Sequence, residues 1–204
     1  MNKLRLILGD QLNINHSWFR QNEPNIFYVL MEIRSETDYV KHHIQKIVAL
    51  FHAMREFHSD LKNKGFNVTY IKINDLTNQH SFSKNINKLI QDLDIGAVEY
   101  QEPDEYRVDQ DLKKLKNELT IPVTCCSSEH FLAERDFCKN FFEGKKQWRM
   151  EFFYREMRKK YNILLDENNK PEGGCWNYDS ENRNKWNHDP KIIDDDRPVS
   201  DVTE

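Results

Sequence analysis

The chain has 204 residues with a formal net charge of −4, and 38% of its residues are hydrophobic. This length suffices for one good hydrophobic core, or for one domain with an extension. The acidic balance argues against a protein that coats nucleic acid through its overall charge. No apolar run approaches the roughly 18 residues of a transmembrane helix, and the N-terminus shows no signal peptide, so we expect no membrane partner.

The cysteine and histidine spacings predict neither a disulfide framework nor a metal site. No CxxC pair occurs, which favours free thiols and a reducing, cytoplasmic location. The four cysteines are Cys125, Cys126, Cys138 and Cys175. Four histidines fall on one predicted helix, but none of them forms the i, i+4 pair that helical zinc sites use. They are His42, His43, His52 and His58.

The first predicted strand leads into the most informative loop of the sequence. Residues 4–8 read as a short buried strand that stops at Gly9, and Asp10 and Gln11 follow in a polar turn. In a parallel α/β sheet, ligands bind beyond the carboxyl ends of strands where the strand order reverses. Gly9 allows a close backbone approach to a ligand. The alternative is a turn in which Gly9 and Asp10 only satisfy backbone geometry.

The rest of the first 130 residues alternates between strand and helix patterns. A short helix or turn at residues 16–19 follows the first strand, and further strands are predicted at 26–33, 66–73, 96–100 and 121–124. The intervening helices begin near Tyr39, at Ser81 or Ser83, and at Pro103. This alternation predicts an α/β fold: a five-stranded parallel Rossmann-like sheet of order 3-2-1-4-5 with helices on both faces.

The longest predicted helix runs from about residue 39 to residue 64. Its apolar residues recur every three or four positions, which is the period of an amphipathic helix. They include Val40, Ile44, Ile47, Leu50, Met54 and Phe57. Ser35 or Thr37 is the expected cap at its start, and Gly65 ends it.

The pattern changes near residue 130, so we divide the chain into an α/β domain (1–130) and a helical connector with a polar tail (131–204). Aromatic residues 131–142 predict one helix, and residues 148–161 predict a second. The basic side chains at 145–160 are able to follow a phosphate backbone. The alternative is a solvated helix whose Glu151 and Glu156 pair with neighbouring arginines. The tail, with Pro190, Asp194 to Asp196 and Pro198, has no core of its own.

The candidate site is a pocket beside the end of the first strand. Its expected walls are Gly9, Asp10, Gln11, Met31, Ile33, Glu36, Ile47 and Leu50. Apolar walls with a few polar groups suit a flat heteroaromatic ring. The alternatives are ordinary core for Ile33, Ile47 and Leu50, and a helix-start carboxylate for Glu36. Glu102 lies across the same crevice and either reaches the ligand or simply precedes the next helix.

The sequence contains neither GxGxxG nor GxxxxGK[ST], so the usual dinucleotide and phosphate loops are not predicted. Several stretches together instead resemble the photolyase-related branch of the cryptochrome/photolyase family, which includes iron–sulfur bacterial cryptochromes and (6-4) photolyases. They are LILGDQL (6–12), YVKHH (39–43), AMR (53–55), EP (102–103) with YR (106–107), MEFFYREMR (150–158), and GG (173–174) with WNYD (176–179) and ENR (181–183).

The resemblance implies an N-terminal antenna domain that binds a ribityl lumazine, such as 6,7-dimethyl-8-ribityllumazine. By motif, this pigment falls on Gly9, Asp10, Gln11, Met31, Glu36 and Leu50. The family's FAD and four-cysteine iron–sulfur cluster belong to a helical domain that we expect outside these residues, in a longer chain or in a separate partner. The implied function is light harvesting for light-dependent DNA repair or blue-light sensing, with DNA contacted only indirectly.

By the same resemblance, the full-length protein would be a deoxyribodipyrimidine photolyase-related lyase, and we do not expect this chain alone to be catalytic. A hypothesis from a different class is a pigment-free interaction module that docks a partner through residues 131–157. It predicts no pigment binding and a large exposed apolar patch.

Overall fold

The computed structural model describes residues 1–179 and 182–185. The chain folds as two compact units, Met1–His130 and Phe131–Glu204. The predicted polar tail at Pro190, 194–196 and Pro198 lies outside the described residues, and so does Glu181 of the ENR motif. None of the described helices is long and apolar enough to cross a membrane.

Five strands form one parallel sheet in the first unit. They are β1 (Asn2–Leu6), β2 (Ile26–Met31), β3 (Asn67–Ile71), β4 (Ile95–Gln101) and β5 (Val123–Cys126). Their order across the sheet is β3-β2-β1-β4-β5, which confirms the predicted α/β fold and strand order. Leu6 pairs with Val29 on one side and with Tyr100 on the other. The strand order therefore reverses at β1, and a crevice forms beyond its carboxyl end.

Helices cover both faces of this sheet, as predicted. The α-helices of this unit are α1 (Arg34–Thr37), α2 (Ile44–Asn63), α3 (Phe82–Asp92) and α4 (Tyr106–Glu118); the second unit contains α5 (Arg135–Phe142) and α6 (Met150–Tyr161). On one face, α3 and α4 bury Ile86 and Leu112 against Leu4 and Leu6. On the other face, α2 and the 3-10 helix Ser17–Phe19 pack over Ile7 and Tyr28. Apolar strands covered on both sides are typical of parallel sheets.

The long helix begins later than the sequence predicts. It starts at Ile44, where the side chain of His43 accepts a hydrogen bond from the backbone N–H of Gln45. The expected cap at Ser35 or Thr37 is therefore wrong, because those residues belong to the separate single turn α1.

The apolar pattern misleads at the start of this helix. Val40 and Ile44 are 50% and 65% exposed, so neither lies on the buried face. Val40 falls in the turns between α1 and α2, where helical periodicity does not apply. The buried face of α2 consists of Met54, Phe57 and Leu61.

Proline shifts the start of the last strand. We predict residues 121–124, whereas β5 is Val123–Cys126. Pro122 has no N–H to donate to the sheet, and only its carbonyl accepts a hydrogen bond, from Val98 N–H at 2.9 Å. Regular pairing therefore starts one residue later, at Val123. The other predicted strands differ from the structure by one or two residues at their ends.

A charged group ties β1 to β4 on one face of the sheet. The Glu99 carboxylate accepts from Lys3 Nζ at 2.6 Å and from Arg5 Nε at 2.8 Å. Burial raises the pKa of Glu99, but the hydrogen bonds from Lys3 and Arg5 outweigh it, so the pKa lies below its ordinary value of 4.5. The ionised carboxylate is therefore favoured in the folded state.

This lowered pKa predicts a loss of stability in acid. The contribution of Glu99 is present above its unfolded pKa and disappears as the pH falls through its folded pKa. We expect the stability difference between the parent and Glu99→Gln to shrink once the pH passes below 4.5. Urea unfolding across a pH series measures this difference, and a difference that stays constant with pH would contradict the prediction.

The second unit is organised by aromatic rings and one buried arginine. Phe137 and Phe141 of α5 pack edge-on against Phe153 of α6, with ring centroids 5.8 and 5.6 Å apart. Phe131 and Leu132 precede α5 and are exposed, so the prediction that they begin this helix is wrong. The predicted second helix is present as α6, although it starts at Met150.

Arg158 of α6 is a structural residue. Its buried guanidinium donates to the backbone carbonyls of Ile163, Leu164 and Trp176. Arg155 pairs with Glu151 one turn earlier. Arg155 thus makes the kind of pair that the solvated-helix interpretation predicts, whereas the buried Arg158 does not belong to the solvated face.

Candidate functional site

A cavity of about 270 Å³ lies at the carboxyl edge of the sheet, in the crevice beyond β1. The segments that follow β1, β2 and β4 all contribute to its walls. The lining residues are Ile7, Leu8, Gly9, Asp10, Met31, Ile33, Glu36, Lys46, Leu50, Phe51, Met54, Phe82, Pro103, Glu105 and Val108. Most of this lining is apolar, and Asp10, Glu36, Lys46 and Glu105 supply its ionisable groups.

The structure brings six of the eight predicted site residues to this cavity. They are Gly9, Asp10, Met31, Ile33, Glu36 and Leu50. They meet because the carboxyl ends of β1 and β2 share one edge of the sheet and α2 passes over it. Gln11 and Ile47 do not line the cavity.

Gln11 supports the cavity wall from behind. Its side chain is buried; Oε1 accepts from Leu8 N–H at 3.2 Å, and Nε2 donates to the carbonyls of Gln101 and Glu102 at 3.4 and 3.2 Å. These bonds hold the loop after β1 against the end of β4. The side chain of Glu102 does not line the cavity, so the structure favours the alternative in which this residue simply precedes the next helix.

The helical phase of α2 explains why Ile47 does not line the cavity. Lys46, Leu50 and Met54 recur every four residues along the face that does, and Phe51 lies beside them. Ile47 is half-buried on a neighbouring face. Lys46, Phe51 and Met54 are site residues that the sequence pattern did not predict, although the i, i+4 spacing from Leu50 was a signal for Lys46 and Met54.

Gly9 lies close to the side chains of Leu50 and Met54 on α2. A Cβ atom at this position would be 3.1 Å from Met54 Sδ and 3.2 Å from Leu50 Cδ1. Any side chain at this position would make a tight contact with Met54 and Leu50 and would take space from this part of the cavity.

One side of the cavity mouth is a charged rim made of Glu36, Arg107 and Glu105. Arg107 Nη1 and Nη2 donate to the two Glu36 oxygens at 2.9 and 2.7 Å, and Nε donates to Glu105 Oε1 at 2.9 Å. The guanidinium lies over the Tyr39 ring, 4.1 Å from its centroid. The hydrogen bonds to Glu36 are the main cause of the raised pKa of Arg107. The rim joins the segment after β2 to α4.

Asp10 stands at another part of the mouth. Partial burial is the main cause of its raised pKa, and the nearby Asp104 carboxylate adds to it. The Asp104 side chain makes a hydrogen bond with the His130 ring, with Oδ2 2.8 Å from Nδ1. The mouth of the cavity is therefore rich in carboxylate acceptors.

A buried carboxylate anchors the wall from below. Glu32 has no exposed side-chain surface, and it accepts from Arg55 Nε, Tyr70 OH and Ile73 N–H at 2.7, 2.7 and 2.8 Å. It lies between Met31 and Ile33, which both line the cavity. Sequence reasoning placed Glu32 in an apolar strand and missed this network; the single acid within that run was the available signal.

Among the described residues, no group of three or more His, Cys, Asp or Glu side chains is placed to hold a metal ion. The four cysteines lie within the described residues and form no disulfide there, and we assign none of them to an iron–sulfur cluster. The prediction that four histidines share one helix is wrong, since His42 and His43 precede α2.

A family model described as "Deoxyribodipyrimidine photo-lyase-related protein" matches residues 5–204. The chain belongs to this family. The match confirms the resemblance drawn from the sequence motifs and covers both structural units. The α/β unit is accordingly a photolyase-related N-terminal domain.

Two relatives show how the chain compares with whole proteins. It is 37% identical over 184 residues to a (6-4) photolyase of Agrobacterium fabrum (strain C58 / ATCC 33970), a match that covers 90% of this chain and 36% of that protein. It is 24% identical over 192 residues to an uncharacterized protein of Acanthamoeba polyphaga mimivirus, covering 90% of this chain and 94% of that protein. The chain thus spans about a third of the photolyase that it resembles.

Proposed function

We propose that the cavity beside β1 holds an antenna pigment, 6,7-dimethyl-8-ribityllumazine or a similar ribityl-bearing heteroaromatic compound. The α/β unit is then the light-harvesting domain of a photolyase-related protein. The observation that carries this proposal is the cavity itself, which combines apolar walls with carboxylate acceptors at the reversal point of the sheet.

The cavity suits the shape and chemistry of such a pigment. Met31, Ile33 and Leu50 offer apolar surface to a flat ring. Asp10 and Glu36 offer acceptors for ring N–H groups and ribityl hydroxyls. A volume of about 270 Å³ lies just below the roughly 300–1,000 Å³ usual for small-molecule sites, which favours a ring with a short chain over a dinucleotide such as FAD.

The protein contributes orientation and exclusion of water, while the bound pigment supplies the light absorption. Excitation passes to a flavin held by an FAD-binding helical domain, either in a longer chain or in a separate partner. Any iron–sulfur cluster belongs to that domain as well. The output of the whole protein is light-dependent DNA repair or blue-light sensing, and DNA is contacted through the flavin domain.

Titration of the purified chain with 6,7-dimethyl-8-ribityllumazine tests this proposal. We expect saturable binding, measured as a change in the pigment's long-wavelength absorption band that levels off as the sites fill. Mass spectrometry of the small molecule released by denaturation identifies any pigment that co-purifies. Saturable binding of ATP with no binding of the lumazine would favour a nucleotide-binding protein and contradict the proposal.

Glu36→Ala is expected to weaken lumazine binding by about ten- to a hundredfold, the cost of losing one charged acceptor. The fold should survive, because Glu36 is partly exposed on the single turn α1. Absorbance titration measures the affinity, and circular dichroism checks the fold. Glu23→Ala at an exposed loop position is the matched control and should bind like the parent. Unchanged affinity in Glu36→Ala would show that this carboxylate does not contribute to lumazine binding.

Exposed apolar side chains favour a second candidate, an interaction module. Phe131, Leu132, Trp148 and Met150 of the second unit are 70%, 64%, 76% and 66% exposed. Such a surface suits docking of a partner protein. In this case the chain binds no lumazine, and Trp148→Ser weakens its complex with an FAD-binding helical partner.

A further inference from the structure

The rim defined above places two carboxylates and one guanidinium in a single hydrogen-bonded unit. Arg107 donates from Nε to Glu105 at 2.9 Å, and from Nη1 and Nη2 to Glu36 at 2.9 and 2.7 Å. The Tyr39 ring covers the guanidinium at 4.1 Å. Arg107 therefore has no free fork of donors with which to bind a phosphate in the usual bidentate way.

The carboxylates of the rim keep capacity that the arginine does not use. Each carboxylate accepts about four hydrogen bonds. In the structure, Arg107 gives two to Glu36 and one to Glu105, and both side chains line the cavity. The rim presents acceptors to the cavity, so it favours ligand groups that donate hydrogen bonds.

The net charge at the cavity also favours uncharged, hydrogen-bond-donating ligand groups. The lining residues include three carboxylates, those of Asp10, Glu36 and Glu105, and one ammonium group, that of Lys46. Even with Arg107 included, one negative charge is left uncompensated. An anionic ligand group at this mouth would meet like charge and little available cation.

We propose that the Glu36–Arg107–Glu105 rim selects an uncharged pigment rich in N–H and O–H donors and rejects its phosphorylated form, with Arg107 as the positioning residue of both carboxylates. This inference rests on the proposed pigment site and adds the class of ligand that it accepts. The site thus distinguishes the two forms of the pigment by the phosphate group on the ribityl chain, which lowers the affinity.

A matched pair of ligands tests this selectivity. We compare 6,7-dimethyl-8-ribityllumazine with its 5′-phosphate ester on the full chain, by absorbance titration at low ionic strength. The unphosphorylated compound is expected to bind at least about tenfold more tightly. Added salt should reduce the ratio, because the rim side chains are partly exposed and screened. Equal affinities would overturn the selectivity and leave the pigment site standing; binding of neither compound would overturn both.

Substitutions in the rim separate positioning from simple folding. Glu105→Gln removes one negative charge, so it should bring the affinities for the unphosphorylated and the phosphorylated lumazine closer together. Arg107→Gln removes the cation and leaves the mouth more negative, so it should weaken binding of the unphosphorylated lumazine and widen the ratio of the two affinities. Arg107→Lys should restore binding only in part, since lysine makes no bidentate contact.

Arg34→Gln is the control for these variants. Arg34 is 64% exposed, pairs with Asp38 and does not line the cavity, so this variant should match the parent in affinity and in ratio. A merely structural role for Arg107 would weaken both ligands equally in Arg107→Gln and leave the ratio unchanged in Glu105→Gln. That pair of results, or tighter phosphate binding in Arg107→Gln, would overturn the proposal.

Discussion

Replacing Glu32 by alanine is expected to lower the free energy of unfolding by about 3 kcal/mol, as for a buried ion pair that loses one partner. The carboxylate has no exposed surface and accepts from Arg55, Tyr70 and the Ile73 backbone. Its removal leaves these three donors without their acceptor at the edge of the sheet. Arg55 is about one third exposed, so we expect a loss of stability at the lower end of the range known for buried ion pairs.

The environment of Tyr70 adds to the case for this network. Burial, followed by the hydrogen bond to Glu32, raises the pKa of Tyr70, so its hydroxyl stays protonated and acts as a donor. The Glu32 carbonyl also accepts from Asn78 Nδ2 at 2.7 Å. One residue at the end of β2 thus connects α2, β3 and the loop that follows β3.

Urea unfolding followed by tryptophan fluorescence measures the effect of Glu32→Ala. In a thermal unfolding experiment, the same loss should lower the melting temperature by roughly 6–12 °C for a chain of this size. Glu56→Ala, at an exposed position of α2, makes the same chemical change and should stay within about 0.5 kcal/mol of the parent. A loss below about 1 kcal/mol in Glu32→Ala would show that water replaces the carboxylate at little cost.

The fold could be predicted because its signals are local. Most strands are short stretches rich in apolar or β-branched residues, and each helix has its own periodicity, so the alternation and the parallel order follow from general rules. The errors fall where a local pattern competes with another constraint. Pro122 delays β5, and the turns before α2 remove Val40 from the helix.

The cavity could be predicted only in part, because its polar framework depends on distant partners. Gly9 and Glu36 come to the cavity because strand ends meet at one edge of the sheet. Arg107 reaches Glu36 from 71 residues further along the chain, and no periodicity in the sequence predicts that pairing. The orientation of Gln11 depends in the same way on the carbonyls at the end of β4.

Gly9→Val is expected to reduce lumazine affinity at least about a hundredfold, which corresponds to about 2.7 kcal/mol. A Cβ atom at Gly9 already comes within 3.1 Å of Met54 Sδ and 3.3 Å of Leu50 Cγ, so the two further methyl groups of valine fill the adjoining part of the cavity. Gly9 does not have a positive φ, so the substitution tests space and not backbone strain. We expect an overpacking cost of about 1–3 kcal/mol in stability.

A compensating substitution separates a blocked cavity from a damaged fold. Met54→Ala removes the nearest contact of the new side chain, so Gly9→Val with Met54→Ala should recover lumazine affinity relative to Gly9→Val alone. Absorbance titration gives the affinities, and thermal unfolding by circular dichroism gives the stabilities of the single and double variants. If Gly9→Val binds the pigment as tightly as the parent, the ligand does not occupy the space between the end of β1 and α2.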